Sequence, residues 1–284
     1  MRGQENIAIA VHRPDGTLDV AGQPLASIYK GRLREIPLIR GIIVLIEALV
    51  LSTQALLHSA QIASPEEEEM SPALLWGTVV VGITFGVALF FVAPLLLTRY
   101  VIDPYIASAL VSNIIEGVIR IGIFIAYIKL ISLMSDIKTI FAYHGAEHKV
   151  VNAYESGEPL ELEAVEKYST AHVRCGTSFL LIVMVVAIIA FALLGRPPLL
   201  LSILSRIILI PVIAAISYEI VRFGAAHTEN TLVRSLLLSP GLALQSMTTR
   251  EPNGKQLEAA LSALKRVIEA DNLGEEATIE HAGN

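Results

Sequence analysis

Four stretches of this chain are apolar enough and long enough to cross a bilayer: Ala73 to Leu97, Ala107 to Met134, Ser178 to Leu194 and Leu199 to Val221. A helix rises about 1.5 Å per residue, so roughly 20 apolar residues match the hydrocarbon thickness. In lipid each backbone amide must bond inside its own segment, which makes helices the spanning form for runs of this length. Composition agrees, with 54% hydrophobic and only 17% charged residues. The expected fold is an all-α integral membrane protein with about four transmembrane helices. A net charge of -6 argues against a nucleic-acid partner, which needs a basic face. Membrane lipids are the expected partner; a substrate, a protein partner or a homo-oligomer stays open.

A fifth stretch, Ile36 to Leu57, carries Arg40, Glu47 and Gln54 at intervals of seven, on one stripe of a helix. If it does not cross, Lys30, Arg32, Arg34, Arg40, Lys138, Lys149, Lys167, Arg174, Arg222, Arg234 and Arg250 fall on one side. Only Arg99 and Arg196 then fall on the other. Basic residues collect on the cytoplasmic side, so this stretch reads as re-entrant or as an amphipathic interfacial helix. In the second span Asn113, Glu116 and Arg120 share a face. With Arg40 and Glu47 they are expected to form one intramembrane polar network, because charges inside a span face protein rather than lipid.

The chain divides into three parts. Residues 1–35 form a cytoplasmic β-hairpin and basic lead-in, with strands over Asn6 to Val11 and Thr17 to Val20 around an Arg13-Pro14-Asp15-Gly16 turn. Residues 36–250 form the membrane domain, which includes a cytoplasmic loop over 135–177. Residues 251–284 form an amphipathic helix with Leu257, Leu261, Leu264 and Ile268 on one face, then a frayed tail from Leu273. Thr228 to Met247 reads as an interfacial helix broken at Pro240-Gly241. Glu66 to Glu69 is a solvated loop, and Trp76 an interface anchor. No apolar core of a cleavable leader precedes Tyr29, so the N-terminus is expected in the cytoplasm, and the collection of basic residues on one side puts both termini there.

The chemistry concentrates in the loop. His144-Gly145-Ala146-Glu147-His148 is an H-x-x-E-H pattern, the inverted zinc-hydrolase motif. On a helix running from about Phe141 to Glu155, capped at Gly157, the two imidazoles lie one turn apart on one face and can share an ion. Glu147 between them is the candidate general base for activating water. A third ligand must come from elsewhere. His172 and Cys175 are the nearest candidates, with His172 preferred, and Glu219 is an alternative. Glu155 lies too far along the helix for the same ion and is cast as a carboxylate that orients a ligand. Arg174 could hold an anionic substrate group or a lipid headgroup. These residues suggest a divalent metal, zinc by ligand type, and a hydrolase at the cytoplasmic membrane surface. The competing reading is a non-enzymatic scaffold or assembly factor with a structural polar or metal site.

Further residues carry a resemblance: Met1-Arg2-Gly3, Arg40-Gly41-Ile42, Tyr143 to Lys149, Tyr154-Glu155-x-Gly157-Glu158-Pro159, His172-x-Arg174-Cys175-Gly176-Thr177-Ser178, Ser217-Tyr218-Glu219, Ser239-Pro240-Gly241 and Thr248 to Pro252. Together they resemble the YqhQ-like bacterial membrane proteins over nearly the whole chain, most specifically from Tyr143 to Ser178. That resemblance implies a bacterial cytoplasmic-membrane location, a metal and a metal-dependent enzyme, but no substrate.

Overall fold

The computed structural model describes residues 1–31, 34–63 and 72–282; the acidic run Glu66 to Glu69, Arg32 and Asn284 lie outside them. The chain is mostly helical, with one small antiparallel hairpin. Strands β1 (Asn6–His12) and β2 (Leu18–Pro24) pair from Asn6 opposite Pro24 to His12 opposite Leu18. The turn follows its residue types. Asp15 accepts from the Thr17 hydroxyl and N–H, and Gly16 takes a positive φ of 86°.

The helices follow in order: α1 (Ile39–Ala63), α2 (Pro72–Val87), α3 (Ala93–Leu97), α4 (Ala109–Ile131), α5 (Ser135–Glu155), α6 (Leu162–Val165), α7 (Gly176–Leu194), α8 (Leu199–Ile208), α9 (Ile210–Ala226), α10 (Thr231–Val233), α11 (Ser239–Thr248) and α12 (Gly254–Ala282). Wide π-turns over Ala88–Val92, Thr98–Ile102 and Arg234–Leu238 each end two residues before a proline: Pro94, Pro104 and Pro240. Proline lacks the N–H for the ordinary helical bond and its ring crowds the preceding turn, so the backbone widens there. This is why Pro240-Gly241 does not break its helix as expected.

Among the described residues, three helical runs are long and apolar enough to cross a membrane: Ile39–Ile62, Trp76–Tyr105 and Gly176–Leu194. The pair α8 and α9, bent by 46° beside Pro211, makes a fourth candidate. Of the two readings of Ile36 to Leu57, re-entrant or amphipathic helix, the continuous helix α1 has no reversal and so excludes the re-entrant one. One expectation changes: α4, which carries Glu116, Arg120 and Lys129, is not in this set. It nevertheless lies antiparallel along α7: Asn113 bonds the Phe191 carbonyl, Gly117 meets Ile188, and Phe124 and Ile128 pack with Met184.

A separate body packs at one end of these helices. Leu257, Leu261, Leu264 and Val267 of α12 bury against Ala146, Val150 and Ala153 of α5, with Ala8 of the hairpin and Val165 of α6. Each large side chain buried there contributes on the order of 2 kcal/mol. The expected leucine face is present, though Ile268 sits at its edge and Val267 in its centre. The helix also continues to Ala282, where a frayed tail was expected from Leu273.

Candidate metal centre

Helix α5 begins at Ser135, six residues before the expected start, and stops where its sequence dictates. Gly157 takes a positive φ of 73°, its N–H bonds the Tyr154 carbonyl, and the Glu158 N–H reaches back to Ala153. Two segments clasp one face of this helix. The residue 166–171 loop turns successive carbonyls toward it. Lys149 donates to Glu166 at 2.7 Å, His148 Nδ1 to Thr170 at 2.6 Å, and Asn152 to Ser169 and Ala171 at 2.9 and 3.0 Å. From the other side, the Arg250 N–H bonds the Phe141 carbonyl and the Thr248 carbonyl accepts from His144 Nδ1 at 2.9 Å. A side chain at Gly145 would overlap the Arg250 carbonyl oxygen, so glycine in the motif is what permits this approach.

Both imidazoles therefore spend Nδ1–H on a backbone carbonyl, which leaves each Nε2 for another partner. Both face Cys175. His144 Nε2 lies 3.2 Å from Cys175 Sγ, and the ligand atoms of His144, His148 and Cys175 all fall within 4.8 Å of one another. Bonds of about 2.0–2.1 Å to nitrogen and 2.3 Å to sulfur separate two ligands by roughly 3.5 Å in a tetrahedral zinc site. The donor set and its spacing thus fit a divalent ion, zinc by softness.

Cys175 caps the N-terminus of α7, where its Sγ accepts from the Thr177 N–H at 3.4 Å. Burial alone would raise its pKa. Hydrogen bonds from His144, His148 and the Thr177 side chain and backbone outweigh that and hold the thiol down to about 5. Burial likewise opposes protonation of His144, but Cys175, the Thr248 carbonyl and Glu147 together raise its pKa. Each favours the other's charged form, and the two become a pair of ligands once an ion displaces the proton between them.

The remaining expected residues separate from this cluster. His172 is buried, but its Nδ1 accepts from the Arg174 N–H and its Nε2 donates to Glu155 at 3.3 Å, which commits both nitrogens. Glu155 also accepts from Arg174 at 2.9 Å, so it orients His172 rather than a ligand of the cluster. The structure therefore brings Cys175, and not His172, to the two imidazoles. Arg174 otherwise lines an open cleft with Tyr218, Val221 and Arg222. Glu147 is exposed and outside the ligand cluster, near enough to His144 and the Met1 ammonium to favour their charged forms. Glu219 is taken by Arg40, which donates Nε at 2.6 Å, and by the Leu38 N–H at 3.1 Å, so it is no ligand.

The single polar network resolves into separate groups. Arg40 pairs with Glu219, and Glu47 pairs with Arg2 at 2.8 Å and Arg34 at 2.9 Å. Glu116 and Arg120 pair at 2.7 Å as expected, and Asn113 binds the Phe191 and Gly195 carbonyls, but their further partner is Arg206 on α8. Sequence reasoning also missed Asn152 and Gln245. The buried Gln245 accepts from the His172 N–H and donates to its carbonyl and to Ser178. Asn152 completes a polar stripe, His144, His148, Asn152 and Glu155, at spacings of four, four and three. That stripe was the available signal.

Residues 36–270 match a family model described as Protein of unknown function (DUF1385). The chain belongs to this family. It is also 30% identical over 289 residues to "Uncharacterized protein YqhQ" of Bacillus subtilis (strain 168), an alignment covering 96% of this chain and 90% of that one. No solved structure matches it. The DUF1385 match extends from before α1 into α12 and takes in the whole cluster around His144, His148 and Cys175.

Proposed function

We propose that this DUF1385 chain is an integral membrane metal-binding protein of the bacterial cytoplasmic membrane, and that His144, His148 and Cys175 hold a divalent ion, zinc by donor type. One observation carries the reading: two imidazoles fixed through Nδ1 to backbone carbonyls turn both Nε2 atoms toward a cysteine whose thiol is held as thiolate. Three protein ligands leave one tetrahedral position free, as in catalytic rather than structural zinc sites. A bound ion would supply Lewis-acid activation of water there. Glu147, at the solvent edge and electrostatically coupled to His144, is the candidate to accept a proton from that water. Arg174 and Arg222 line the adjoining cleft, where an anionic substrate group or headgroup would meet positive charge. The reaction class that fits is hydrolysis.

The exposure of Glu147 favours a second reading, a scaffold in which the same residues merely knit α5, the residue 166–175 loop and the residue 248–250 segment together. Metal analysis of the purified protein separates them in stages. The wild type should carry stoichiometric zinc, and His148→Ala and Cys175→Ala should lose it. Wild-type protein without metal after zinc-replete expression would sink the metal reading. Glu147→Gln should keep the ion and lose hydrolytic activity; loss of the ion as well would make its role structural.

A further inference from the structure

A second buried cluster lies at the other end of the helices, remote in the fold from α5. Glu116 accepts from Arg120 at 2.7 Å and from Arg206 at 3.0 and 3.1 Å. Arg196, in the turn between α7 and α8, reaches Glu116 at 3.7 Å and Asp103 at 3.1 Å, and donates to Ser112. Three guanidinium groups thus face two carboxylates. Arg99, donating to the Pro197 carbonyl at 3.0 Å, adds positive charge at the same end. Glu116, Arg120 and Arg206 are at most 1% exposed. The Phe191 ring lies 5.2 Å from the Arg120 guanidinium and 4.3 Å from that of Arg206.

The donors of this cluster are not used up. Among the described residues, Nε of Arg206 and Nε of Arg196 are buried without a hydrogen-bond acceptor, while Nη1 of Arg196 meets the Asp103 and Glu116 carboxylates as an ion pair without hydrogen-bond alignment. The two guanidinium heads approach the same carboxylate oxygen of Glu116, at 3.0 Å from Arg206 and 3.7 Å from Arg196, so the unused donors sit on neighbouring side chains. Surplus buried positive charge with unused N–H groups is costly, and a negative partner with acceptor atoms relieves both terms at once.

We propose that Arg196 and Arg206 bind a monovalent anion, either a small inorganic one or the phosphodiester of an anionic lipid. The site is reached past Arg196 and Asp103, whose side chains are 13% and 25% exposed. Guanidinium suits both sources: its planar fork matches phosphate oxygens, and its fixed charge and N–H groups attract a halide. Glu116 then acts as a competing internal anion that fixes Arg120 and Arg206 in place.

The test uses the full chain in detergent, with gluconate as the reference anion. The thermal unfolding midpoint is followed while chloride, inorganic phosphate or a short-chain phosphatidylglycerol is titrated in. A saturable rise is expected with at least one of the three; response to the lipid alone assigns a lipid source, and response to chloride or phosphate a free anion. Arg196→Gln should weaken the apparent affinity by about tenfold, the scale of one charge-assisted hydrogen bond. Glu116→Gln should strengthen it, and reads independently if Arg196→Gln does not fold. A merely structural cluster would lose stability in Glu116→Gln with no change in anion response. No saturable response to any of the three, or one unaltered by both variants, overturns the proposal.

Discussion

At the scale of single residues, the cluster turns on which side chain opposes the two histidines. The i, i+4 spacing made His144 and His148 legible as a pair, because helix geometry alone fixes their shared face. The choice between His172 and Cys175 was not legible, since a loop has no period that orients its side chains. It is decided by where α7 begins: Cys175 becomes its N-cap, and His172 is drawn off by Glu155 and the Arg174 N–H. The thiol held down to about 5 gives a measurable consequence. Above that pH Cys175 is a thiolate in the fold, whereas an unfolded thiol ionises at about 8.5. Its contribution to stability is thus complete above the unfolded value and is lost as pH falls through about 5. The raised pKa of His144 works the other way, stabilising below its unfolded value and fading as pH rises through the folded one. Ultraviolet titration of the thiolate in chelator-treated protein should show a midpoint near 5, moved upward in His144→Ala. A wild-type midpoint in the ordinary thiol range would refute the pairing.

At the scale of elements, the hairpin and the C-terminal amphipathic helix were readable because each carries its own period, two for the strands and 3.6 for α12. What holds them together was not, because the contact spans most of the chain. Asp271 of α12 accepts from the Gln4 N–H at 2.6 Å, the Glu5 N–H at 3.1 Å and the Asn6 side chain at 2.8 Å, and thereby pins the residues that open β1. Burial pushes its carboxyl pKa up, but the bonds from Asn6, Gln4 and Glu5 outweigh this and leave it below the usual value. A depressed carboxylate stabilises above its unfolded pKa and ceases to as pH falls through the folded one. Replacing the charged acceptor in Asp271→Asn should cost about 1 kcal/mol, the charged bonds being discounted for solvent screening. The loss should be seen near neutral pH and shrink in acid. Faster proteolysis near β1 is the accompanying readout, and equal protection of wild type and variant would count against the contact.

At the scale of the molecule, packing constrains which helices cross more tightly than length and composition do. The hairpin and α5 belong to one body, since Ala8 shares a core with Ala146 and Val150. An even number of crossings must therefore separate them. The run from Trp76 to Tyr105 passes the Arg120 level at Phe90 and reaches Arg196 through Asp103, so it travels away from that body. Helix α4 returns, antiparallel to α7 along its length; if α7 crosses, α4 crosses beside it, its buried charges turned onto Arg206 rather than lipid. If both cross, they satisfy the parity and leave no crossing for α1 despite its 24 apolar-rich residues. Helix α1 is in fact tied near its start to the body's side of the molecule, by Glu47 to Arg2 and Arg34. It should lie along the membrane face without crossing, as the distribution of basic residues also favours. Single cysteines introduced at Asp15, Glu158 and Arg196 in a Cys175→Ser background test this with an impermeant thiol reagent on intact and inverted vesicles. Asp15 and Glu158 should react only from the cytoplasmic face, and a cysteine near the α7–α8 turn only from the opposite one. Finding Asp15 and Glu158 on different faces would mean that α1 crosses and that the hairpin cannot pack on α5 as described.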